Sequence, residues 1–310
     1  MYMYLPIALA SVNYLVVVGL GLAVGLLSGL FGVGGGFLMT PLLMMIGIPP
    51  TIAAATDANQ IVAASASGTF SHWRLGNVDF KMGLFLLIGG FVGGAFGVQI
   101  IKILRATGGA DFMIKMTYVI MLGLVGSFMF VESLNALQKS KKAAETASPA
   151  KPKPAKKSGG FFAALPMQTY FVKSGVTHSA LVPIVLGTFV GILAAIMGVG
   201  GGFLMVPVMI YMLRMPMHVV VGTSLFQILF TCIEVTYLQA YSNHTVDFVL
   251  ALLLLVGSVF GAQIGTVLGR KLHGDQLKIL LSIIVLAVTV KIVLELVMEP
   301  SILLSYAGGH

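Results

Sequence analysis

Long apolar runs broken by short polar stretches fill most of the chain, and no segment alternates residue by residue as a lipid-facing strand would. Runs at about 12–31, 52–70, 82–101 and 112–131 in the first half predict membrane-crossing helices, as do 181–197, 219–241, 248–268 and 277–298 in the second. Between the first and second run of each half lies a shorter apolar piece, 37–47 and 203–213. Eleven residues at about 1.5 Å each reach roughly half the hydrocarbon core, which predicts half-helices or re-entrant segments. Each piece opens just after a glycine run and stops before a proline.

The pattern repeats in its letters as well as its hydropathy. Residues 32–41 read GVGGGFLMTP and residues 198–207 read GVGGGFLMVP, so nine of ten positions agree at a separation of 166 residues. Around this block Phe31 is matched by Met197, Pro50 by Pro216, Thr56 by Thr223 and Gln60 by Gln227. Further on, NVD at Asn77 to Asp79 is matched by TVD at Thr245 to Asp247, and FGVQI at Phe96 by FGAQI at Phe260. Order is kept throughout, which implies duplication of one structural unit.

Each half carries an odd number of crossings: five if the short piece crosses, three if it folds back with its neighbour. Two such halves must be inverted. The expected fold is therefore an all-α polytopic membrane protein of two inverted-topology repeats, with short half-helices after the glycine motifs and about 8–10 membrane segments. The expected organisation is an N-terminal transmembrane repeat over 1–135, a basic, largely disordered linker over 136–178 and a C-terminal transmembrane repeat over 179–310.

Composition agrees with the hydropathy. The chain is 58% hydrophobic and only 9% charged, against about 25% charged in soluble domains. Its net charge of +8 does not point to nucleic acid, because eight of the eighteen Lys and Arg fall in the linker. With the linker in the cytoplasm, Arg74, Lys81, Arg214, Arg270, Lys271 and Lys278 share its side, and only Lys102, Arg105 and Lys115 lie near the other. The positive-inside rule then supports both termini outside and the linker inside. The N-terminus has no basic leader and no small-residue cleavage site, so it is expected to remain as a first helix. The single cysteine, Cys232, is expected to be a small core residue.

Candidate chemistry gathers at the repeated motif. A glycine run ahead of a half-helix lets the backbone turn sharply and presents free N–H groups at the positive end of a dipole, which favours anions. Gly34, Gly35, Gly36, Gly200, Gly201 and Gly202 are the first candidates, with close helix packing around small residues as the competing reading. On the next helix of each half, Thr56, Asn59 and Gln60, and Thr223, Ser224 and Gln227, mark a polar stripe that either lines a cavity or forms interhelical hydrogen bonds. Gln99 and Gln263 invite the same two readings. Asp57 and Glu234 are the acids deepest in predicted spans and are candidates for proton or cation coupling, against a reading as snorkelling groups near helix ends. His72, Trp73 and Arg74 cluster where interfacial anchors are common. The chain offers no catalytic constellation, no metal-ligand cluster and no cofactor motif.

The doubled GVGGGFLMxP block, the proline nine residues beyond it, the Thr and Gln of the following helix and the basic loop between halves resemble the TauE/SafE family, also called the sulfite exporter family. The linker here is longer and richer in lysine than that family's pattern. The resemblance implies a carrier of the bacterial or archaeal inner membrane for a sulfur-containing anion of the sulfite, thiosulfate or organosulfonate class. Together with the inverted duplication it predicts a secondary transporter whose half-helices converge near the midplane, one half rocking against the other. Its partners are a small anion and the lipid bilayer, with no nucleic acid. A passive anion channel and a membrane scaffold or sensor remain as alternatives.

Overall fold

The structure, a computed structural model, describes residues 2–31, 36–145, 168–269 and 274–298. A hairpin of β1 (Tyr2–Leu5) and β2 (Ala10–Asn13) leads into α1 (Tyr14–Phe31). There follow α2 (Gly36–Met45), α3 (Pro50–Arg74), α4 (Phe80–Ala106) and α5 (Ala110–Glu145). The order then recurs: a hairpin of β3 (Gln168–Phe171) and β4 (Val176–Ser179), then α6 (Leu181–Met197), α7 (Gly202–Pro207), α8 (Met217–Leu238), α9 (Phe248–Gly269) and α10 (Gly274–Met298). The two hairpins leave no mark in the hydropathy pattern, because four-residue strands carry too few side chains to set a period.

This is an all-α polytopic membrane protein. Four stretches among the described residues are long and apolar enough to cross a bilayer: Phe80–Ala106, Ala110–Phe128, Val219–Asn243 and Phe248–Gly265. Large apolar side chains such as Phe91, Phe96, Leu124, Phe128, Val185, Phe189 and Phe260 stand exposed on these and neighbouring helices, a surface that lipid covers. The half-helices are short as the sequence predicts. α2 has ten residues, and α7 has six before the chain widens into a π-helical turn over Val208–Met212. The turn follows Pro207, which lacks the N–H that would continue the α-helical ladder.

Of the expected linker only the ends are described. α5 reaches Glu145, β3 and β4 occupy 168–171 and 176–179, and residues 146–167 lie outside the described residues.

The halves interlock. α1 packs along α9, and α4 along α6, each pair joining one half to the other. Glycines make both contacts close: Gly21 and Gly25 meet Gly257 and Ser258, while Gly89 and Gly93 meet Ile184 and Thr188. A Cβ at Gly93 would overlap the Thr188 carbonyl oxygen, so small residues set the approach. Between these pairs α3 and α8 cross antiparallel. Gly68, late in α3, meets Leu225, early in α8, and Gly222, early in α8, meets His72 and the Asn77 carbonyl beyond the end of α3.

The two larger hydrophobic cores among the described residues are each drawn from both halves. One joins the β1–β2 hairpin, α1, α2, the start of α3 and α5 to the end of α6, Phe203 of α7, α9 and α10, with Ile101 of α4; the other joins the start of α4 to the β3–β4 hairpin, α6, α7 and the start of α8.

Candidate functional site

The two half-helices begin against each other. Phe37 and Phe203, at matching places just after the two glycine runs, stack with ring centroids 4.5 Å apart and planes 14° apart. Gly34 and Gly35 lie outside the described residues, but Gly36 opens α2 and Gly202 opens α7. The second glycine run threads between α3 and α8: Gly198 abuts the Ala54 backbone, and Gly200 abuts Cys232, Ile228 and Ile61. Gly198 and Gly201 have φ of +71° and +76°, the left-handed region that only glycine enters cheaply. Gly36 meets the same Ile61 from the other side. Both helix starts thus converge on one buried group, Ile61, Ile228 and Cys232. Cys232 is buried and free, as a small core residue.

Thr56 and Thr223 are buried and bonded across the halves. Thr56 Oγ1 accepts from the Asp247 backbone N–H at 3.1 Å, and Thr223 Oγ1 accepts from the Asp79 backbone N–H at 3.0 Å. Each aspartate is itself a junction. Asp79 caps α4 by accepting from Met82 N–H at 3.1 Å, and its other oxygen accepts from the Ser174 backbone N–H at 3.1 Å and from the Ser174 hydroxyl, in the β3–β4 turn. Asp247 accepts from Val249 and Leu250 N–H at 3.1 Å each, and from Ile7 N–H, in the β1–β2 turn, at 3.3 Å. Because α3 and α8 are antiparallel, these two nodes lie at opposite ends of the helix pair. The NVD and TVD repeat was their signal in the sequence; that they grip the other half's hairpin was not legible there.

The remaining stripe residues divide by helix. On α8, Gln227 Nε2 donates to Thr231 Oγ1 at 2.9 Å, and the pair faces Gly90 of α4. Glu234 faces Gly94 and is only half buried, although its Oε2 is inaccessible and unpartnered. Ser224 turns its hydroxyl back to the Val221 carbonyl at 3.0 Å. On α3, Gln60 is buried with Oε1 unpartnered, as is Gln227 Oε1, and Asn59 is half buried. Gln99 and Gln263 sit on exposed faces of α4 and α9. Trp73 is exposed and Arg74 lies 4.5 Å over the Phe70 ring, the arrangement of a membrane-surface anchor.

Asp57 is fully buried on α3. Its Oδ2 accepts from Thr40 Oγ1 of α2 at 2.8 Å, and its Oδ1 has no partner. A Cβ on Gly36 would stand 3.4 Å from that Oδ2, so the carboxylate lies beside the first turn of α2. Thr40 was missed in the sequence because its counterpart is Val206, so repeat matching gave it no weight. Tyr118 of α5, whose hydroxyl donates to the Met197 carbonyl, was missed because nothing in α5 marks it. Among the described residues no group of three His, Cys, Asp or Glu is placed to hold a metal ion.

The family described as "Sulfite exporter TauE/SafE" matches residues 17–292 of the chain. A probable membrane transporter protein of Bacillus subtilis, YunE, is 26% identical over 295 residues, covering 91% of this chain and 98% of its own. A second from that organism, YjnA, is 28% identical over 275 residues, covering 88% and 97%. "Sulfite exporter TauE/SafE family protein 1" of Arabidopsis thaliana is 33% identical over 90 residues, which is 29% of this chain and 20% of that one. No solved structure matches the chain significantly.

Proposed function

The chain belongs to the TauE/SafE sulfite exporter family of membrane transporters, and from that premise we propose that it is a secondary carrier for a small sulfur-containing anion of the sulfite, thiosulfate or organosulfonate class. The observation that carries this reading is the stacking of Phe37 on Phe203, because it sets two glycine-led helix starts together in the interior, where backbone N–H groups face no competing water. The anion binds among Gly34, Gly35, Gly36, Gly200, Gly201 and Gly202, with Asn59, Gln60, Ser224 and Gln227 beside them, while Thr56 and Thr223, bonded to Asp247 and Asp79 at opposite ends of α3 and α8, hold the two ends of the helix pair. The antiparallel crossing of α3 and α8 supports inverted repeats, and the lysine distribution supports outside termini and a cytoplasmic linker.

Alternating access follows, with one refinement. The hydrophobic cores mix helices of both halves, and α4, α6 and α7 contribute to both cores, so neither sequence half moves alone. Reconstituted vesicles given labelled sulfite, thiosulfate or a short sulfonate are expected to show saturable uptake of at least one. Flux that rises linearly without saturation would favour a passive channel. Gly201→Leu drives a side chain into Val190 from a left-handed backbone position and is expected to lower uptake at least about tenfold. Undiminished uptake by that variant would remove the second glycine run from the site.

A further inference from the structure

We propose that Asp57 couples the cycle to protons: ionised, it keeps an anion away from the first turn of α2, and protonated, it admits one, so that anion and proton cross together. The inference rests on the anion reading above and gives that site its driving ion.

The start of a helix favours one negative charge through its free N–H groups and dipole. At α2 a carboxylate already stands there, held through Oδ2 by Thr40 and beside Gly36. Two unit charges about 4 Å apart in a protein interior weaken binding of the second by roughly a thousandfold. An anion and an ionised Asp57 therefore exclude one another. Protonation removes the repulsion and converts the unpartnered Oδ1 from an acceptor into an O–H donor that the anion can use. The proton comes from water on the open side, sits on Oδ1 while the anion is bound, and returns to water on the far side as the anion leaves. One proton moves with each anion, and the carboxylate is regenerated.

Among the described residues no cation pairs with Asp57 to supply the neutralising charge instead. α2, α6 and α9, which pack on α3, contain no titratable side chain. α5 contributes Tyr118, whose hydroxyl is committed to Met197, Asp111, which accepts from Thr51 N–H at the start of α3, and the half-buried Lys115 between them, which does not pair with Asp57. α8 contributes the buried Cys232, while its Glu234 faces Gly94 of α4. Asp247 meets Thr56 through its backbone and turns its carboxylate to Ile7, Val249 and Leu250. Ser224 replaces Asp57 in the second half, so the proton site is carried once, at α2.

The test uses the full chain in detergent with thiosulfate and methanesulfonate, which stay ionised from about pH 5 to about pH 9, so that any pH dependence of binding belongs to the protein. The expected result is an affinity that falls by about tenfold per pH unit on the alkaline limb, and one proton taken up per anion bound in weakly buffered solution. Asp57→Asn is expected to bind with an affinity independent of pH and without proton uptake, whereas Glu234→Gln keeps both. Wild-type binding that is indifferent to pH and takes up no proton would overturn the inference while leaving the anion reading intact, and needs no variant to fold. Persistence of the pH dependence in Asp57→Asn, or its loss in Glu234→Gln, would overturn it equally. Absence of binding of either anion at every pH would overturn the anion reading itself, and the coupling with it.

Discussion

Gly198→Ala is expected to lose more than about 3 kcal/mol of stability and to abolish transport. The position fails an added methyl group twice. Its φ of +71° costs an L-residue about 1–2 kcal/mol, and the new Cβ would overlap the Ala54 carbonyl of α3, a backbone atom that cannot rotate away. Shifting α3 would also disturb Asp57 and Thr56, which it carries. Gly47 is the control, with φ of +91° and nothing within 4 Å of an added Cβ. Gly47→Ala should cost only the conformational term of about 1–2 kcal/mol. Thermal unfolding of the two purified variants in one detergent separates the effects. Equal losses would mean that contact with α3 contributes nothing.

The second large effect is expected at the two aspartate nodes. Asp79→Ala leaves Met82 N–H, Ser174 N–H and the Ser174 hydroxyl without their acceptor, and Asp247→Ala does the same to Val249, Leu250 and Ile7 N–H. Loss of a helix cap together with charge-assisted bonds amounts to about 2–4 kcal/mol for each variant. The distinguishing feature is where the damage shows. Asp79→Ala should speed hydrogen exchange in the turn around Ser174, 95 residues away, and Asp247→Ala in the turn around Ile7, 240 residues away. Acceleration confined to the starts of α4 and α9 would reduce the nodes to ordinary caps. Thr56→Val and Thr223→Val remove one acceptor each and are expected to cost less, about 1 kcal/mol.

Much of this fold was legible because the bilayer makes its demands locally. A run such as 82–101 must close its backbone hydrogen bonds within itself, so hydropathy and length alone locate α4, and eleven apolar residues after a glycine run can only make a half-helix. The doubled GVGGGFLMxP block stood in the letters themselves. The hairpins were not legible, since a four-residue strand has no measurable period and is held in place by a distant aspartate. At the site, the repeat drew attention to Thr56 and Thr223, whose hydroxyls prove to be bound to the other half's backbone. It drew none to Thr40 or Tyr118, which lack a like counterpart.

Composition and period by themselves determined that the protein is helical, lies in a membrane and carries two short helices led by glycine, because each property depends on residues near one another in the chain. Only the tertiary structure decided that the two half-helices meet through Phe37 and Phe203, that the hydrophobic cores interleave the halves, and that Asp57, unlike Glu234, stands beside a helix start. The reason is geometric. Which carboxylate faces a helix terminus depends on how α3 and α8 cross, and that crossing is set by close packing among residues far apart in sequence.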